Sequence, residues 1–127
     1  MSEEIIKVTE PVIIEDGKHK GKITKVVRSL PNAEEGRKYD YTELYVEVTD
    51  HDKKPEIRVG FPTSISELSS LGKLLKKAGL DFSGKDGVPM KDIKDHLIDK
   101  KITFLCKTES TDAGDFARIL RDTIDFK

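Results

Sequence analysis

Residues 39–62, YDYTELYVEVTDHDKKPEIRVGFP, alternate apolar and polar side chains with a period of two on either side of a charged turn. From Tyr39 to Thr49, Leu44, Val46 and Val48 fall on one face, while Tyr41, Glu43, Tyr45 and Glu47 fall on the other. That pattern predicts a strand with one buried face. Asp50-His51-Asp52-Lys53 reads as a turn, after which Ile57, Val59 and Phe61 resume the alternation. Pro62, which has no N–H for a ladder, ends it. The two strands form a hairpin, with tyrosines on the outer side of its first strand.

Working outward, Gly17 to Leu30 is β-prone around Ile23, Val26 and Val27, and Gly21 suggests a bulge or sharp bend within that strand. Pro31 to Lys38, with Asn32 and Gly36, is a polar loop. From Ser64 to Ala78 the period changes: Leu68, Leu71, Leu74, Leu75 and Ala78 have helical spacing. Ser64 and Ser66 are available as N-caps, Lys76 and Lys77 occupy the last turn, and Gly79 follows as a stop. Asp81 to Val88 is a glycine-rich connection, and Met90 to His96 suits a short second helix. Ile102, Phe104 and Cys106 mark a fourth strand, Thr108 to Gly114 a loop, and Phe116 to Phe126 a fifth strand. The order β-β-β-α-β-β predicts an all-β protein with one or two helices, arranged as a five-stranded OB-fold Greek-key barrel. Residues 1–11 form an acidic N-terminal segment ahead of one domain over residues 12–127.

The run Asp16-Gly17-Lys18-His19-Lys20-Gly21-Lys22-Ile23, the tyrosine-bearing second strand and Leu97-Ile98-Asp99-Lys100-Lys101-Ile102-Thr103-Phe104 together resemble small OB-fold proteins of phages and archaea. Those proteins are grouped with single-stranded DNA-binding and replication-protein-A-like domains. The resemblance covers roughly residues 12–126 and implies binding of an unpaired strand in replication, recombination or repair. Two departures stand out. Asp99 occupies the place of the family's usual glycine before the fourth strand, and the flexible acidic tail of the bacterial relatives is missing.

Composition restricts the alternatives. At 127 residues the chain can bury a core without metal or disulfide staples. The single cysteine, Cys106, excludes an internal disulfide and a multi-cysteine zinc site, which fits a reducing cytoplasmic setting. No apolar run approaches the roughly 20 residues that span a bilayer, and Met1-Ser2-Glu3-Glu4 lacks the features of a secretory leader. Net charge is −1, but it is unevenly distributed. Residues 17–30 carry five bases (Lys18, Lys20, Lys22, Lys25 and Arg28) and no acid, between segments rich in acids. Such a stripe either tracks phosphates or keeps an exposed strand solvated.

Enzymatic readings find little to build on. Gly79 to Asp86 approaches a phosphate-binding P-loop, but Asp86 replaces the Ser/Thr that holds magnesium, and a helix precedes the run where a strand is required. His19, His51 and His96 are too scattered for a metal set. Cys106 alternates with core positions, as an inert buried thiol does. Neither catalysis, a cofactor nor a metal is expected.

An OB barrel binds across its second and third strands and the loops beside them. The expected surface comprises Tyr39, Tyr41 and Tyr45 with Arg58, Arg37 and Lys38 from the first loop, Lys107 and Phe116 near the last, and Lys20, Lys22 and Arg28 from the first strand. Rings stack on bases while cations follow the phosphates. The predicted partner is single-stranded DNA, or RNA, with little sequence preference. Glu43 and Glu47 share the face and oppose phosphate, which supports the alternative of an OB domain that binds protein in a larger assembly.

Overall fold

The computed structural model describes residues 13–32, 34, 36, 39–112 and 114–126, so the acidic segment over residues 1–11 lies outside the described residues. The elements are β1 (Gly17–Ser29), β2 (Tyr41–Val48), β3 (Glu56–Pro62), α1 (Ser70–Lys77), α2 (Met90–Leu97), β4 (Lys101–Thr111), β5 (Gly114–Ile119), a 3-10 turn (Arg121–Thr123) and β6 (Asp125–Phe126). The strands make one antiparallel sheet in the order β3-β2-β1-β4-β5, with β6 also paired to β4. The protein is therefore mostly β with two helices. Among the described residues no helix is long and apolar enough to cross a membrane.

The alternation read from residues 39–62 places side chains as expected. Leu44, Val46 and Val48 are buried, as are Val59 and Phe61 across the hairpin. Ile23 and Val26 of β1, Ile102, Phe104 and Cys106 of β4, and Ile119 of β5 complete the inner face, against which Leu71, Leu74 and Leu75 of α1 and Ile93 and Leu97 of α2 pack. Each such side chain withdrawn from water contributes about 1.5–3 kcal/mol. The buried hydroxyl of Thr42 shares a 2.9 Å hydrogen bond with that of Thr63, which avoids the cost of an unpaired polar group.

β1 holds the two halves of the sheet together. Gly17 to Lys22 pair with β4, and Gly21 to Ser29 pair with β2. Where the ladders overlap the strand is squeezed: a Cβ on Gly21 would lie 2.7 Å from Phe104 Cε1 and 2.8 Å from the Glu47 carbonyl oxygen. The register then slips between Ile23 and Lys25, leaving Thr24 as a bulge. Ile23 and Val26 both point inward, a spacing of three that a regular strand cannot produce. Asp99, before β4, has φ 68° and donates its N–H to the Ile23 carbonyl at 2.7 Å. It occupies the left-handed conformation that glycine favours and aspartate tolerates.

Two expectations are corrected. The first helix begins at Ser70, not near Ser64, and its N-cap is Ser69, whose hydroxyl accepts from Gly72 N–H at 3.0 Å. Ser66 instead stops a preceding turn, its hydroxyl accepting from Leu68 and Ser69 N–H. Leu68 consequently lies outside the helix and is 87% exposed. The second helix, expected over Met90 to His96, forms as Met90–Leu97, so the connection between β3 and β4 holds two helices. Phe116 to Phe126 is not one strand. Thr123 Oγ1 accepts from Leu105 N–H at 2.9 Å, taking over a ladder position and turning the chain into the 3-10 segment. Ile119 and Ile124, five residues apart, can then both be buried.

The edge strands β3 and β5 approach each other. Arg121, just beyond β5, donates from Nη1 to the Gly60 carbonyl of β3 at 3.1 Å.

Candidate functional site

The outer face of β1, β2 and β3 is organised in cross-strand rows. Ser29, Tyr41 and Pro62 lie side by side, then Val27, Glu43 and Gly60, then Lys25, Tyr45 and Arg58, and finally Lys22, Glu47 and Glu56. Tyr41 and Tyr45 thus face outward, away from the core. Tyr39 is 66% exposed and Tyr41 36%. Their rings meet edge to face with centroids 6.2 Å apart, the arrangement the aromatic quadrupole favours.

Tyr45 occupies a different setting. Lys25 Nζ lies 5.3 Å and Arg58 Cζ 5.7 Å from its ring centroid, so cations from both neighbouring strands hold to it. Contacts of this kind contribute about 0.5–1 kcal/mol each at exposed positions. Arg58 Nη1 also lies 3.9 Å from Glu43 Oε2, a loose pair that partly offsets that acid. The open platform is therefore Tyr39 with Tyr41, and Tyr45 is the post that fixes two cations beside it.

The bulge explains why Lys25 escaped sequence reasoning. Strict alternation from the buried Ile23 would turn Lys25 inward, and only the extra residue, Thr24, brings it onto the row of Tyr45. The Ile23-to-Val26 spacing was the available signal.

The remaining site residues separate. Lys20 and Lys22 lie on the outer face where β1 meets β4, beside Thr103 and Lys101 respectively. Lys22 Nζ is 3.5 Å from Asp99. Arg28 takes a different path. Its row contains the buried Thr42 and Phe61, and its guanidinium grips both carboxylate oxygens of Asp40 from Nε and Nη2, which keeps the Asp40 carboxyl below the usual carboxylate range. Arg28 is thereby a clamp at the end of the β1–β2 hairpin and stands apart from the tyrosine rows. Arg37 and Lys38 lie outside the described residues. Lys107 pairs with Arg118 across the β4–β5 hairpin, where Phe116 is 55% exposed. Of these residues Arg118 approaches Arg58 across the β3–β5 seam, where the two line one cleft. Arg118 and Arg121 are cations that reading Phe116 to Phe126 as one strand did not single out.

The other reactive side chains have structural partners. His19 Nδ1 lies 3.1 Å from Asp50 Oδ1 and its Nε2 2.6 Å from the Glu15 carbonyl oxygen. Burial opposes its charge, but these two acceptors raise its pKa above the ordinary value. His51 Nε2 contacts the Ile13 carbonyl at 2.8 Å while its Nδ1 accepts from Lys53 N–H. His96 Nδ1 contacts the Asp92 carbonyl within α2 at 2.8 Å. Burial pushes the Cys106 thiol up to about 11. Gly79 to Asp86 follows α1, so the P-loop-like run lacks the strand that its chemistry needs before it. Among the described residues no three His, Cys, Asp or Glu side chains gather as a metal set.

Comparison with known protein families and with characterised proteins gives no match.

Proposed function

We propose that the sheet closes into a five-stranded OB-type barrel and that its outer β1–β3 face binds single-stranded nucleic acid with little sequence preference. The order β3-β2-β1-β4-β5 and the approach of β3 to β5 support closure, since only a curled sheet brings its end strands together. One observation carries the functional reading: exposed Tyr39 and Tyr41 lie on the same sheet surface as Tyr45, which Lys25 and Arg58 flank. Bases stack on the open rings and phosphates run along the cations, a combination that tolerates any base because each has a π-face. The acids of the face restrain affinity, Glu47 and Glu56 most of all, being neighbours in one row.

Fluorescence anisotropy with a labelled oligothymidylate tests this reading. Saturable micromolar or tighter binding is expected. Tyr41→Ala/Tyr45→Ala should weaken it by about tenfold or more, since a lost base stack is worth ~1–3 kcal/mol. Unchanged affinity in a folded double variant would refute the face. Silence of the wild type at high concentration selects the second reading, a protein-binding OB domain, which the row of Glu47 and Glu56 favours.

A further inference from the structure

The seam between β3 and β5 holds a cleft suited to a charged ligand. It has a volume of about 460 Å³ and is lined by Arg58, Val59 and Gly60 on one side and by Arg118 to Thr123 on the other. Ligand sites typically span ~300–1,000 Å³. Three of the lining side chains are arginines, drawn from β3, from β5 and from the turn beyond it, while Asp122 is the lining acid. Residues sixty or more positions apart in sequence, Arg58 against Arg118 and Arg121, thus bring guanidinium groups to one opening.

We propose that this seam is a phosphate-binding site, in which Arg58, Arg118 and Arg121 hold a phosphodiester of the strand whose bases stack on the tyrosine face. The inference rests on the nucleic-acid reading above and adds a path to it, from Tyr45 through Arg58 into the cleft. Guanidinium is the group best matched to phosphate, because its planar fork presents paired donors.

The arginines are positioned without being consumed. Arg121 gives one N–H to the Gly60 carbonyl at 3.1 Å, which fixes it across the seam, and a guanidinium carries five such donors. Arg118 pairs with Glu109 at 3.0 Å and Arg58 loosely with Glu43 at 3.9 Å. Both pairs are exposed, with arginine side chains 65% and 64% accessible, and exposed pairs contribute little. A phosphate that engages several guanidinium groups at once displaces them. Asp122 lies beside Ser70, 3.5 Å from its hydroxyl, and limits the site to a singly charged group such as a phosphodiester over a dianionic phosphate monoester.

The experiment compares wild type, Arg118→Gln, Arg118→Gln/Arg121→Gln and Arg121→Lys by oligothymidylate anisotropy across salt concentration, with circular dichroism as the folding control. The double variant should lose about tenfold in affinity, and its slope of log affinity against log salt should fall by about 0.7, the change expected for one phosphate contact removed from a single strand. Arg121→Lys should recover part of the slope, because it keeps a cation. A folded double variant with the wild-type slope overturns the seam while leaving the tyrosine face standing. Loss of affinity on Tyr41→Ala/Tyr45→Ala, with no change on Arg118→Gln/Arg121→Gln, is the signature of that result.

Arginine side-chain N–H resonances of the wild type give a second readout that needs no variant. Oligothymidylate should shift Arg118 and Arg121. A shift with inorganic phosphate but none with oligothymidylate identifies a free phosphate compound as the occupant and overturns the strand path. No shift with either overturns the site.

Discussion

Replacing Gly21 with alanine should destabilise the protein although alanine suits a strand better than glycine. The new Cβ would meet Phe104 Cε1 at 2.7 Å, the Glu47 carbonyl oxygen at 2.8 Å and Val46 Cγ1 at 2.8 Å. Phe104 is 1% exposed and Val46 0%, so neither ring nor methyl has space to retreat, and the carbonyl belongs to the β2 backbone. Overpacking a filled core in this way costs ~1–3 kcal/mol. Against it stands a gain of about 0.4–1 kcal/mol from a less flexible unfolded chain. The contacts prevail, leaving a net loss of roughly 0.5–2 kcal/mol, or about 2–10 °C in Tm for a chain of this size. Thermal unfolding followed by circular dichroism measures it. Gly87→Ala is the control, because a Cβ there meets nothing within 4 Å. A Gly21→Ala protein that melts with the wild type or above it would show that β1 does not pass this close to β4. The placement of Lys20 and Lys22 on the shared outer face would then fall as well.

Two other groups yield measurable consequences. His19 has both ring nitrogens against acceptors, so the imidazolium satisfies both while the neutral ring satisfies one. Its pKa is raised on folding, so its contribution is complete below the unfolded value of 6.5 and disappears as pH climbs through the folded value. The Tm gap between wild type and His19→Asn should therefore be wider near pH 6 than near pH 8 (about half a unit below and 1.5 units above the free-histidine value). A gap that widens toward alkaline pH contradicts the assignment. Cys106, buried with its thiol pushed up to about 11, should resist iodoacetamide at neutral pH in the native protein and react once denaturant unfolds the chain. Labelling of native protein at the rate of a free thiol would place it outside the core.

Legibility followed the range of the forces involved. The hairpin of residues 39–62 could be read because one face lies against the core, so a period of two records burial directly. The start of α1 was misread because Leu68 has helical spacing to Leu71, yet Ser66 spends its hydroxyl on a preceding turn and Ser69 caps the helix, which leaves Leu68 in solvent. The last strand was misread because Thr123 replaces a backbone partner with its side chain, a substitution that no hydrophobic pattern records. Within the candidate site, Tyr41, Tyr45 and Arg58 were legible from alternation. Lys25 was hidden by one bulged residue, and the meeting of Arg118 and Arg121 with Arg58 depends on how the two sheet edges approach, which local sequence does not encode. Arg28 showed the reverse error. It belongs to the basic stripe, but Asp40 claims it.

The central claim is that an unpaired strand lies on the outer face of β1, β2 and β3. Backbone amide NMR during titration with unlabelled oligothymidylate tests it most directly. The account predicts that the largest shift changes cluster at residues 22–29, 41–47 and 56–62, with α1 and α2 nearly silent. Changes concentrated on the two helices, or no changes at saturating oligonucleotide, would contradict it.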